Sequence, residues 1–252
     1  MVQDLSRIQM CPRNAGNLRS WLRVMNSFLR ATQLVLVLTL AIALLIVVPA
    51  AIMGIAREWK VIFLALSYLC FFLGTVWRVL RYGELTRVDE DEQIKETSGQ
   101  LASFIALVGL WGIHWLAVYD FSITHRATAR MIDWVWEVVA IALISAAIII
   151  YYVTISTLGK FFDRLTIKPD HQLVRQGIYN IIRHPIYTSY ILLFAGYCTL
   201  FQSFLALALL AGVCIIWFGN RIAIEEDMLL GRFGDEYRQY CQETKRLFPY
   251  IL

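Results

Sequence analysis

Two short polar motifs in the C-terminal part of the chain combine residue types that bind charged ligands. The first is Arg183 and His184, which stand directly before Pro185 at the start of a long apolar stretch. The second is Glu225 and Glu226, which follow that stretch. A guanidinium pairs with carboxylates, and a carboxylate pairs with an ammonium group or accepts hydrogen bonds from ribose hydroxyls. Together the two motifs predict a site for a zwitterionic ligand.

Each motif also has a simpler explanation when it is taken alone. Arg183 could be the charge of a solvated loop. Glu225 could pair with Arg221 one helical turn before it, a contact worth about 0.2–0.5 kcal/mol. A ligand site is favoured only if the chain folds back so that both motifs reach the same end of the fold.

The residues around the first motif indicate how its side chains are held. Proline suits the first turn of a helix, and the residue before it is pushed toward extended backbone. His184 is therefore predicted on a turn ahead of a helix that starts at Pro185. Tyr187 and Tyr190 share one face of that helix because they are three residues apart. Gly177 permits a tight turn or the close approach of a ligand to the backbone.

The elements that position these motifs are predicted to be membrane helices. Of the 252 residues, 59% are hydrophobic and 17% are charged, a balance too apolar for a soluble globular domain. The charges also cluster in short connectors. Four apolar runs approach the ~20 residues that a spanning helix needs, namely residues 32–53, 61–77, 101–119 and 134–156.

A fifth apolar run, residues 186–220, is too long for one span. As a straight helix with a rise of ~1.5 Å per residue it would reach about 50 Å, against a hydrocarbon core of ~30 Å. Gln202 and Ser203 interrupt it near its middle, which predicts a hairpin of two short helices. The predicted fold class is all-α, a polytopic integral membrane helical bundle of about six membrane helices whose last two form the hairpin.

The chain is predicted to have three parts. Residues 1–31 form an arm, residues 32–156 form four membrane spans, and residues 157–252 carry the hairpin and both polar motifs. Within the arm and the start of the first span, residues 17–33 place apolar side chains on one helical face and arginines on the other, as in a helix that lies in the membrane surface. The Arg-rich, acid-poor arm also fits a mitochondrial transit peptide.

The basic residues predict an orientation. Lys and Arg are most frequent before residue 32, in the connectors at 78–100 and 157–185, and in the tail after residue 220. The positive-inside rule places these segments, and hence both termini and both polar motifs, in the cytoplasm. The acidic run at residues 88–96 is interpreted as a solvated part of the first of these connectors.

Three stretches of the C-terminal part resemble a known family. They are "HQLVRQGIYNIIRHPIY" from His171, "EEDMLLGRFGDEYRQY" from Glu225 and "RLFPY" from Arg246. They are similar to the isoprenylcysteine carboxyl methyltransferases and to the related phospholipid methyltransferases. The resemblance covers residues 158–252, whereas the first four spans have only the right kind of hydrophobicity.

This resemblance implies an integral membrane methyltransferase that uses S-adenosylmethionine. It places the cofactor at the cytoplasmic face between the two motifs, with catalytic segments in the C-terminal region and a lipophilic substrate, a prenylcysteine-like carboxylate or related lipid, that enters from the bilayer. It implies catalytic roles for Arg183 and Glu226. The cofactor contacts that it implies are His171, Leu173, Val174, Gly177, Tyr179, Arg183, His184, Tyr187, Glu225 and Glu226.

Several partners remain open for such an enzyme. The acceptor could be a prenylated cysteine, a phospholipid amine, a small thiol or an isoprenoid acid, and the other expected partners are membrane lipids rather than nucleic acid. We expect no metal site, since the sequence has neither an HExxH nor a CxxC spacing. The bacterial inner membrane and the endoplasmic reticulum both fit.

Two other functions fit parts of the sequence. The sterol reductases have a related C-terminal half, and "RFGDEYRQYC" from Arg232 is similar to their tail, which would imply NADPH. A transporter or membrane scaffold is the non-enzymatic alternative. Its main candidate residue within a span is His114, which we interpret as a packed or interfacial histidine, because the polar groups otherwise cluster at one membrane face.

Overall fold

The computed structural model describes residues 12–82, 90–125, 133–159 and 173–249. In these ranges the chain is helical apart from turns and short connectors. The helices are α1 (Pro12–Ile42), α2 (Val48–Ile52), α3 (Trp59–Tyr82), α4 (Glu90–Asp120), α5 (Asp133–Leu158), α6 (Pro185–Leu200), α7 (Phe204–Phe233) and α8 (Asp235–Glu243). Two π-helical segments, Ala43–Val47 and Phe121–His125, extend α1 and α4, and a 3-10 turn covers Gly177–Asn180.

Five helical stretches in the described part are long and apolar enough to cross a membrane. They are Phe28–Ile52, Trp59–Arg81, Ala106–Thr124, Asp133–Leu158 and Phe204–Phe233. The first four contain the centres of the four predicted runs. Helix α6 is also apolar but has only 16 residues, about 24 Å of helix. The predicted all-α membrane bundle is confirmed, with five full-length spans and one short apolar helix, and the protein is a multi-pass membrane protein.

The predicted hairpin is confirmed at Gln202 and Ser203. Gln202 takes a left-handed conformation, with φ 54°, and the backbone N–H of Ser203 donates to the Cys198 carbonyl at 3.0 Å. The Ser203 hydroxyl caps α7 by accepting a hydrogen bond from the backbone N–H of Ala206 at 3.4 Å. A tight reversal therefore connects α6 to α7 antiparallel.

The prediction of two short arms was wrong for α7. This helix has 30 residues and is about 45 Å long, so it exceeds the ~30 Å hydrocarbon core. Arg221, Glu225 and Glu226 continue the helix instead of ending it, because charged side chains with good helix propensity do not interrupt backbone hydrogen bonding. The helix ends where Gly234 takes φ 54°.

The predicted connector at 78–100 is helical at both of its ends. Residue 78 was assigned to the connector after the second span, but α3 continues to Tyr82, and Arg78 is buried with 3% of its surface exposed. Helix α4 begins at Glu90, so the acidic run from that residue onward is helix. No proline or glycine stands between Trp77 and Tyr82 to end α3, and arginines at the end of an apolar run do not end a helix.

The predicted surface arm is continuous with the first span. Helix α1 runs from Pro12 to Ile42 without a break, since glycine and proline are absent between Asn17 and Ile42. The membrane-surface position of residues 17–33 stays a prediction.

The helices alternate in direction, which gives the bundle two ends. The site end is formed by the C-termini of α3, α5 and α7 and by the N-termini of α4 and α6. The far end carries the hairpin turn. There Lys60 Nζ lies 2.9 Å from Glu137 Oε1 and 4.8 Å from the centroid of the Phe121 ring, while Phe121 packs on Phe201 at 5.4 Å between ring centroids.

A buried aromatic cluster fills the middle of the bundle. The Nε2 atom of His114 lies 2.8 Å from the Tyr68 hydroxyl, and its Nδ1 lies 2.6 Å from the Leu110 carbonyl. The Tyr197 hydroxyl donates to the His114 carbonyl at 3.2 Å. His114 is 1% exposed, so its interpretation as a packed histidine is confirmed.

Candidate active site

The hairpin brings the two polar motifs into direct contact at the site end. Arg183 Nε donates to Glu226 Oε1 at 3.1 Å, although the two residues are 43 positions apart in the chain. The Arg183 side chain is 9% exposed and that of Glu226 is 14% exposed. The predicted meeting of a guanidinium and a carboxylate is therefore confirmed, in a place where little water screens their attraction.

Arg183 also fixes the C-terminal tail. Its Nη1 donates to the carbonyl of Cys241 at 3.1 Å and to the carbonyl of Thr244 at 2.5 Å. One guanidinium thus bridges the N-terminus of α6, the last turns of α7 and the end of α8. Lysine could not make this set of contacts, because its donors share one atom.

Backbone hydrogen bonds join the tail to the segment before α6. The N–H groups of Arg183 and His184 donate to the carbonyls of Lys245 and Arg246 at 2.8 and 3.0 Å, and the N–H of Lys245 donates to the Ile181 carbonyl at 3.1 Å. The Thr188 hydroxyl donates to the Leu247 carbonyl at 2.6 Å. This short parallel pairing fixes the position of the tail beside both polar motifs.

His184 lies between the two glutamates. Its Nε2 is 3.3 Å from Glu226 Oε1, and its Nδ1 is 3.5 Å from Glu225 Oε2. Burial works against the charged imidazole, but hydrogen bonds and attraction to both carboxylates outweigh it and raise the pKa of His184 above its ordinary value of 6.5. Protonation of the imidazole is thereby favoured, and it would place a positive charge between the two carboxylates.

Glu225 is held by a separate set of partners. The Tyr187 hydroxyl donates to its Oε1, and Arg221 Nε lies 3.8 Å from the same oxygen. The predicted Arg221–Glu225 pair therefore exists, but it is only one contact in a larger group of side chains. We call this group the glutamate cluster, and it consists of Arg183, His184, Tyr187, Arg221, Glu225, Glu226 and Arg246. Tyr187 is 8% exposed, whereas a quarter of the Glu225 side chain, 25%, is exposed.

Arg246 closes the outer side of the cluster. Its Nε and Nη2 donate to Glu226 Oε2 at 3.0 and 2.6 Å, and this hydrogen bonding to Glu226 raises the pKa of Arg246. More than half of its side chain, 55%, is exposed. Arg246 is therefore the most accessible cation of the cluster, whereas Arg183 and His184 are buried.

The structure brings together five of the predicted site residues. These are Arg183, His184, Tyr187, Glu225 and Glu226. Tyr179 lies on the 3-10 turn before α6, where its carbonyl accepts a hydrogen bond from the Tyr240 hydroxyl at 2.6 Å and burial raises the pKa of its own hydroxyl.

The other predicted contacts lie on the segment that leads to the cluster. Leu173 and Val174 are half-buried. Gly177 has φ +61°, and a Cβ there would lie 3.3 Å from Thr157 Oγ1, so this turn needs glycine both for its backbone and for its contact with α5. His171 lies outside the described residues.

Three residues in or beside the glutamate cluster were not among the predicted site residues. Arg246 and Thr244 belong to the tail, and Arg221 had been considered only as a surface partner of Glu225. The stretch "RLFPY" was quoted for its resemblance, and its arginine was the one available signal. The contacts of Thr244 and Cys241 with Arg183 use backbone carbonyls, which every residue type has and which no motif can therefore reveal.

The cluster can bind a ligand that carries both signs of charge. Two carboxylates face four cationic groups, those of Arg183, His184, Arg221 and Arg246. A bound ammonium or ribose could replace Arg246 on Glu226, and a ligand carboxylate could then pair with the released guanidinium. Among the described residues, no group of three or more His, Cys, Asp or Glu side chains could hold a metal ion.

Comparison with known proteins finds one family model that matches the same region. Residues 138–231 match the family model described as the isoprenylcysteine carboxyl methyltransferase family, which confirms the resemblance. The match begins inside α5, before Leu158, and ends short of the tail. It covers most of α5, which packs on α6, nearly all of the hairpin and both polar motifs.

Individual relatives match the same part of the chain. A protein-S-isoprenylcysteine O-methyltransferase of Schizosaccharomyces pombe is 37% identical over 82 residues, which are 32% of this chain and 35% of the relative. Methanethiol S-methyltransferase 1 of Bradyrhizobium diazoefficiens is 40% identical over 73 residues, 29% of this chain and 25% of that one. The matched part thus spans about a third or less of these relatives.

Among solved structures, that of the eukaryotic intramembrane Ras methyltransferase, an isoprenylcysteine carboxyl methyltransferase, matches with a TM-score of 0.48 and 20% sequence identity. The match covers 94% of this chain and 86% of that one.

Proposed function

We propose that this protein is an integral membrane methyltransferase that uses S-adenosylmethionine to methylate a lipophilic substrate, with a prenylcysteine-like carboxylate as the acceptor. The observation that carries the proposal is the buried contact of Arg183 with Glu226, which joins two motifs that lie inside the region matched by the methyltransferase family. Both relatives described above carry methyltransferase names, which favours this function over an NADPH-dependent reductase and over a transporter.

The residues of the cluster fit the charges of this methyl donor. S-adenosylmethionine carries an ammonium group, a carboxylate, a sulfonium and ribose hydroxyls. Glu225 and Glu226 would hold the ammonium or the hydroxyls, and Arg246, whose side chain is 55% exposed, would pair with the carboxylate. The ring of Tyr187 lies 5.1 Å from that of Phe218, which provides an apolar surface beside the carboxylates.

The reaction needs little acid–base help from the protein. A bound sulfonium donor supplies a methyl group that is already electrophilic, so an acceptor carboxylate oxygen can form the new C–O bond while the C–S bond breaks. No proton is released, because the acceptor starts as an anion and the donor leaves as a neutral thioether. The protein must align the two groups and exclude water.

The buried members of the cluster supply that alignment. Arg183 is a positioning residue, because its guanidinium fixes Glu226 and the tail carbonyls. His184 connects the two glutamates, since its ring nitrogens lie 3.5 Å from Glu225 and 3.3 Å from Glu226. Glu226 is the residue that we place in contact with the donor. The site end is where an acceptor whose tail lies in the bilayer would meet the donor.

The test is methyl transfer by the purified protein in lipid nanodiscs. Tritium-labelled S-adenosylmethionine is offered with S-farnesyl-N-acetylcysteine, phosphatidylethanolamine or a small alkyl thiol. We expect a base-labile methyl ester on the farnesylated acid. Glu226→Gln should lower kcat/KM at least about 100-fold, because it leaves Arg183 and His184 without their shared carboxylate, a loss of about 3 kcal/mol.

The matched control is Glu236→Gln, which makes the same substitution at an exposed position on α8 and should leave turnover unchanged. Binding of the donor by calorimetry is measured for both variants, and NADPH oxidation with a sterol mixture is measured in parallel. Donor binding that is absent in the wild type, or turnover by Glu226→Gln that equals the wild type, contradicts the proposal.

A further inference from the structure

One hydroxyl at the edge of the glutamate cluster is buried without a hydrogen bond. Tyr237 lies in the first turn of α8, and its ring is 6.0 Å from that of Tyr240 between centroids. Only 2% of its surface is exposed, and its hydroxyl has no hydrogen-bond partner among the described residues. Such a group has lost its contacts with water without gaining others, which is destabilising. Native structures keep few groups of this kind, so each calls for an explanation.

Tyr237 lies on the side of α8 that faces the glutamate cluster. Cys241 follows it by one helical turn on the same face, and the carbonyl of Cys241 accepts a hydrogen bond from Arg183 Nη1 at 3.1 Å. The same guanidinium donates to Glu226 Oε1 from its Nε, also at 3.1 Å. The buried Tyr237 side chain therefore belongs to the layer between α8 and the Arg183–Glu226 pair.

The charges of the cluster reach the Tyr237 hydroxyl. Burial and then the negative charge of Glu226 raise the pKa of Tyr237. The pKa of Arg246 is raised first by its hydrogen bonds to Glu226 and also by Tyr237. The hydroxyl is thus a neutral donor near a carboxylate. The Cys241 thiol also acts on it, but sulfur is a weak hydrogen-bond partner.

Arg246 occupies the acceptor positions of Glu226 that face away from the buried cations. Oε1 receives Arg183 Nε at 3.1 Å and His184 Nε2 at 3.3 Å. Among the described residues only Arg246 donates to Oε2, from two nitrogens at 3.0 and 2.6 Å. A carboxylate oxygen accepts about two hydrogen bonds. A ligand that replaces Arg246 there with one N–H or O–H leaves one acceptor position open.

We propose that the Tyr237 hydroxyl fills this position: it donates to Glu226 when the methyl donor displaces Arg246, and so holds the carboxylate in the orientation that binds the donor. This inference rests on the methyltransferase function proposed above. Tyr237 is a positioning residue, because it acts through Glu226 and not on the reacting atoms. Its hydroxyl is unpaired in the donor-free protein and paired in the complex, so its removal weakens donor binding without destabilising the fold.

The test is Tyr237→Phe, which removes a single oxygen atom. Titration calorimetry in nanodiscs measures the Kd for S-adenosylmethionine, and scanning fluorimetry measures the melting temperature without the donor. We expect the Kd to rise about tenfold, since a hydrogen bond to a charged group is lost. The melting temperature should stay the same or rise, because an unpaired hydroxyl is no longer buried. A purely structural role would lower the melting temperature instead.

The matched control is Tyr240→Phe, the same substitution one turn later on α8. The Tyr240 hydroxyl donates to the Tyr179 carbonyl at 2.6 Å, so this variant breaks a hydrogen bond that already exists. Its melting temperature without the donor should fall by roughly 2–4 °C.

Arg246→Ala provides a second test that needs no ligand. This variant opens Glu226 Oε2 to Tyr237 in the donor-free protein, so the hydroxyl gains its partner there. Adding Tyr237→Phe to Arg246→Ala should then lower the melting temperature by roughly 2–4 °C, whereas Tyr237→Phe alone does not lower it.

The outcomes separate this inference from the proposed function. A wild-type Kd in Tyr237→Phe overturns the role of Tyr237. A melting temperature that falls as far in Tyr237→Phe as in Tyr240→Phe also overturns it, because the hydroxyl would already have a partner. Wild-type protein that binds no donor overturns the proposed function, and the Arg246→Ala background then decides whether Tyr237 pairs with Glu226.

Discussion

At the scale of single residues, His184 makes the cluster sensitive to pH. Its pKa is raised above 6.5 by Glu225 and Glu226 in spite of its burial. A group whose pKa is higher in the folded than in the unfolded protein stabilises the fold while it is protonated in both states, and the stabilisation is lost as the pH rises through the folded pKa. The contribution of His184 is therefore complete below about pH 6.5 and falls as the pH rises above that value.

This gives a prediction for His184→Gln. We expect the melting temperature of the wild type in detergent to fall as the pH is raised from 6 toward 9, and we expect a smaller fall in the variant, because glutamine carries no titrating charge. Differential scanning fluorimetry at a series of pH values measures both curves.

The control for that series is Glu243→Gln. It removes the exposed partner of Arg175, whose Nη2 lies 2.6 Å from Glu243 Oε2, and it leaves His184 untouched. Its melting curve should keep the pH dependence of the wild type. If His184→Gln has the same pH dependence as the wild type, the imidazole is not the titrating group.

Residue types could be predicted from the sequence better than their partners. Arg183, His184, Glu225 and Glu226 were found because proline fixes the start of α6 and because a carboxylate pair follows an apolar helix. Arg78 was placed in a connector, since a charge next to an apolar run looks the same whether it faces water or the bundle. Only packing between helices decides between the two positions, and one sequence does not contain it.

At the scale of helices, the close contact of α5 with α6 fixes the position of α6, the helix that begins directly after Arg183 and His184. A Cβ added at Gly196 on α6 would lie 2.6 Å from Ile144 Cγ1 and 3.1 Å from the Ala140 carbonyl oxygen. Ile144 is 1% exposed, and a backbone carbonyl cannot turn away without moving its helix. Glycine is therefore required because the two backbones pack so closely, as is common for small residues between membrane helices.

The prediction is that Gly196→Ala pushes α6 away from α5. Overpacking of this kind costs about 1–3 kcal/mol, and in a chain of this size each kcal/mol lowers the melting temperature by roughly 2–4 °C. Thermal unfolding in detergent measures the shift. Turnover should fall as well, because α6 carries Arg183 and His184 at its N-terminus.

The matched control is Gly212→Ala on α7, where an added Cβ meets nothing within 4 Å. The same substitution there should leave stability unchanged or raise it slightly, since alanine has the higher helix propensity. A melting temperature for Gly196→Ala that equals that of Gly212→Ala would show that α5 and α6 do not pack closely.

The helices themselves were the most predictable part of the fold. Hydrophobic runs of the right length predicted the spans, and two polar residues in a run of excessive length predicted the turn at Gln202 and Ser203. The position of the tail was not predictable. It depends on backbone pairing of Lys245 with Ile181 and Arg183, residues more than 60 positions away, and such pairing leaves no pattern in side chains.

At the scale of the whole molecule, the two ends of the bundle differ in their polar groups. The described residues at the site end carry the glutamate cluster and its arginines, whereas the far end has the ion pair of buried Lys60 and half-buried Glu137 beside the aromatic ring of Phe121. The positive-inside rule predicts that the site end faces the cytoplasm, because the connectors and the tail at that end hold most of the Lys and Arg residues.

This orientation predicts which positions a membrane-impermeant maleimide reaches. Thr124→Cys places a thiol on an exposed position at the far end, and Gln242→Cys places one on an exposed position of α8 at the site end. Both substitutions replace one uncharged residue with another, so neither alters the distribution of Lys and Arg that sets the orientation of the chain in the membrane. In a variant without other cysteines, expressed in the inner membrane of a bacterium, Thr124→Cys should be labelled in intact cells and Gln242→Cys only after the cells are permeabilised.

The reverse pattern would place the methyl donor's site outside the cytoplasm, away from the compartment in which S-adenosylmethionine is made. Labelling of both positions in intact cells would mean that the chain inserts in two orientations, and retained methyl transfer by each variant shows that the labelled protein is the folded one.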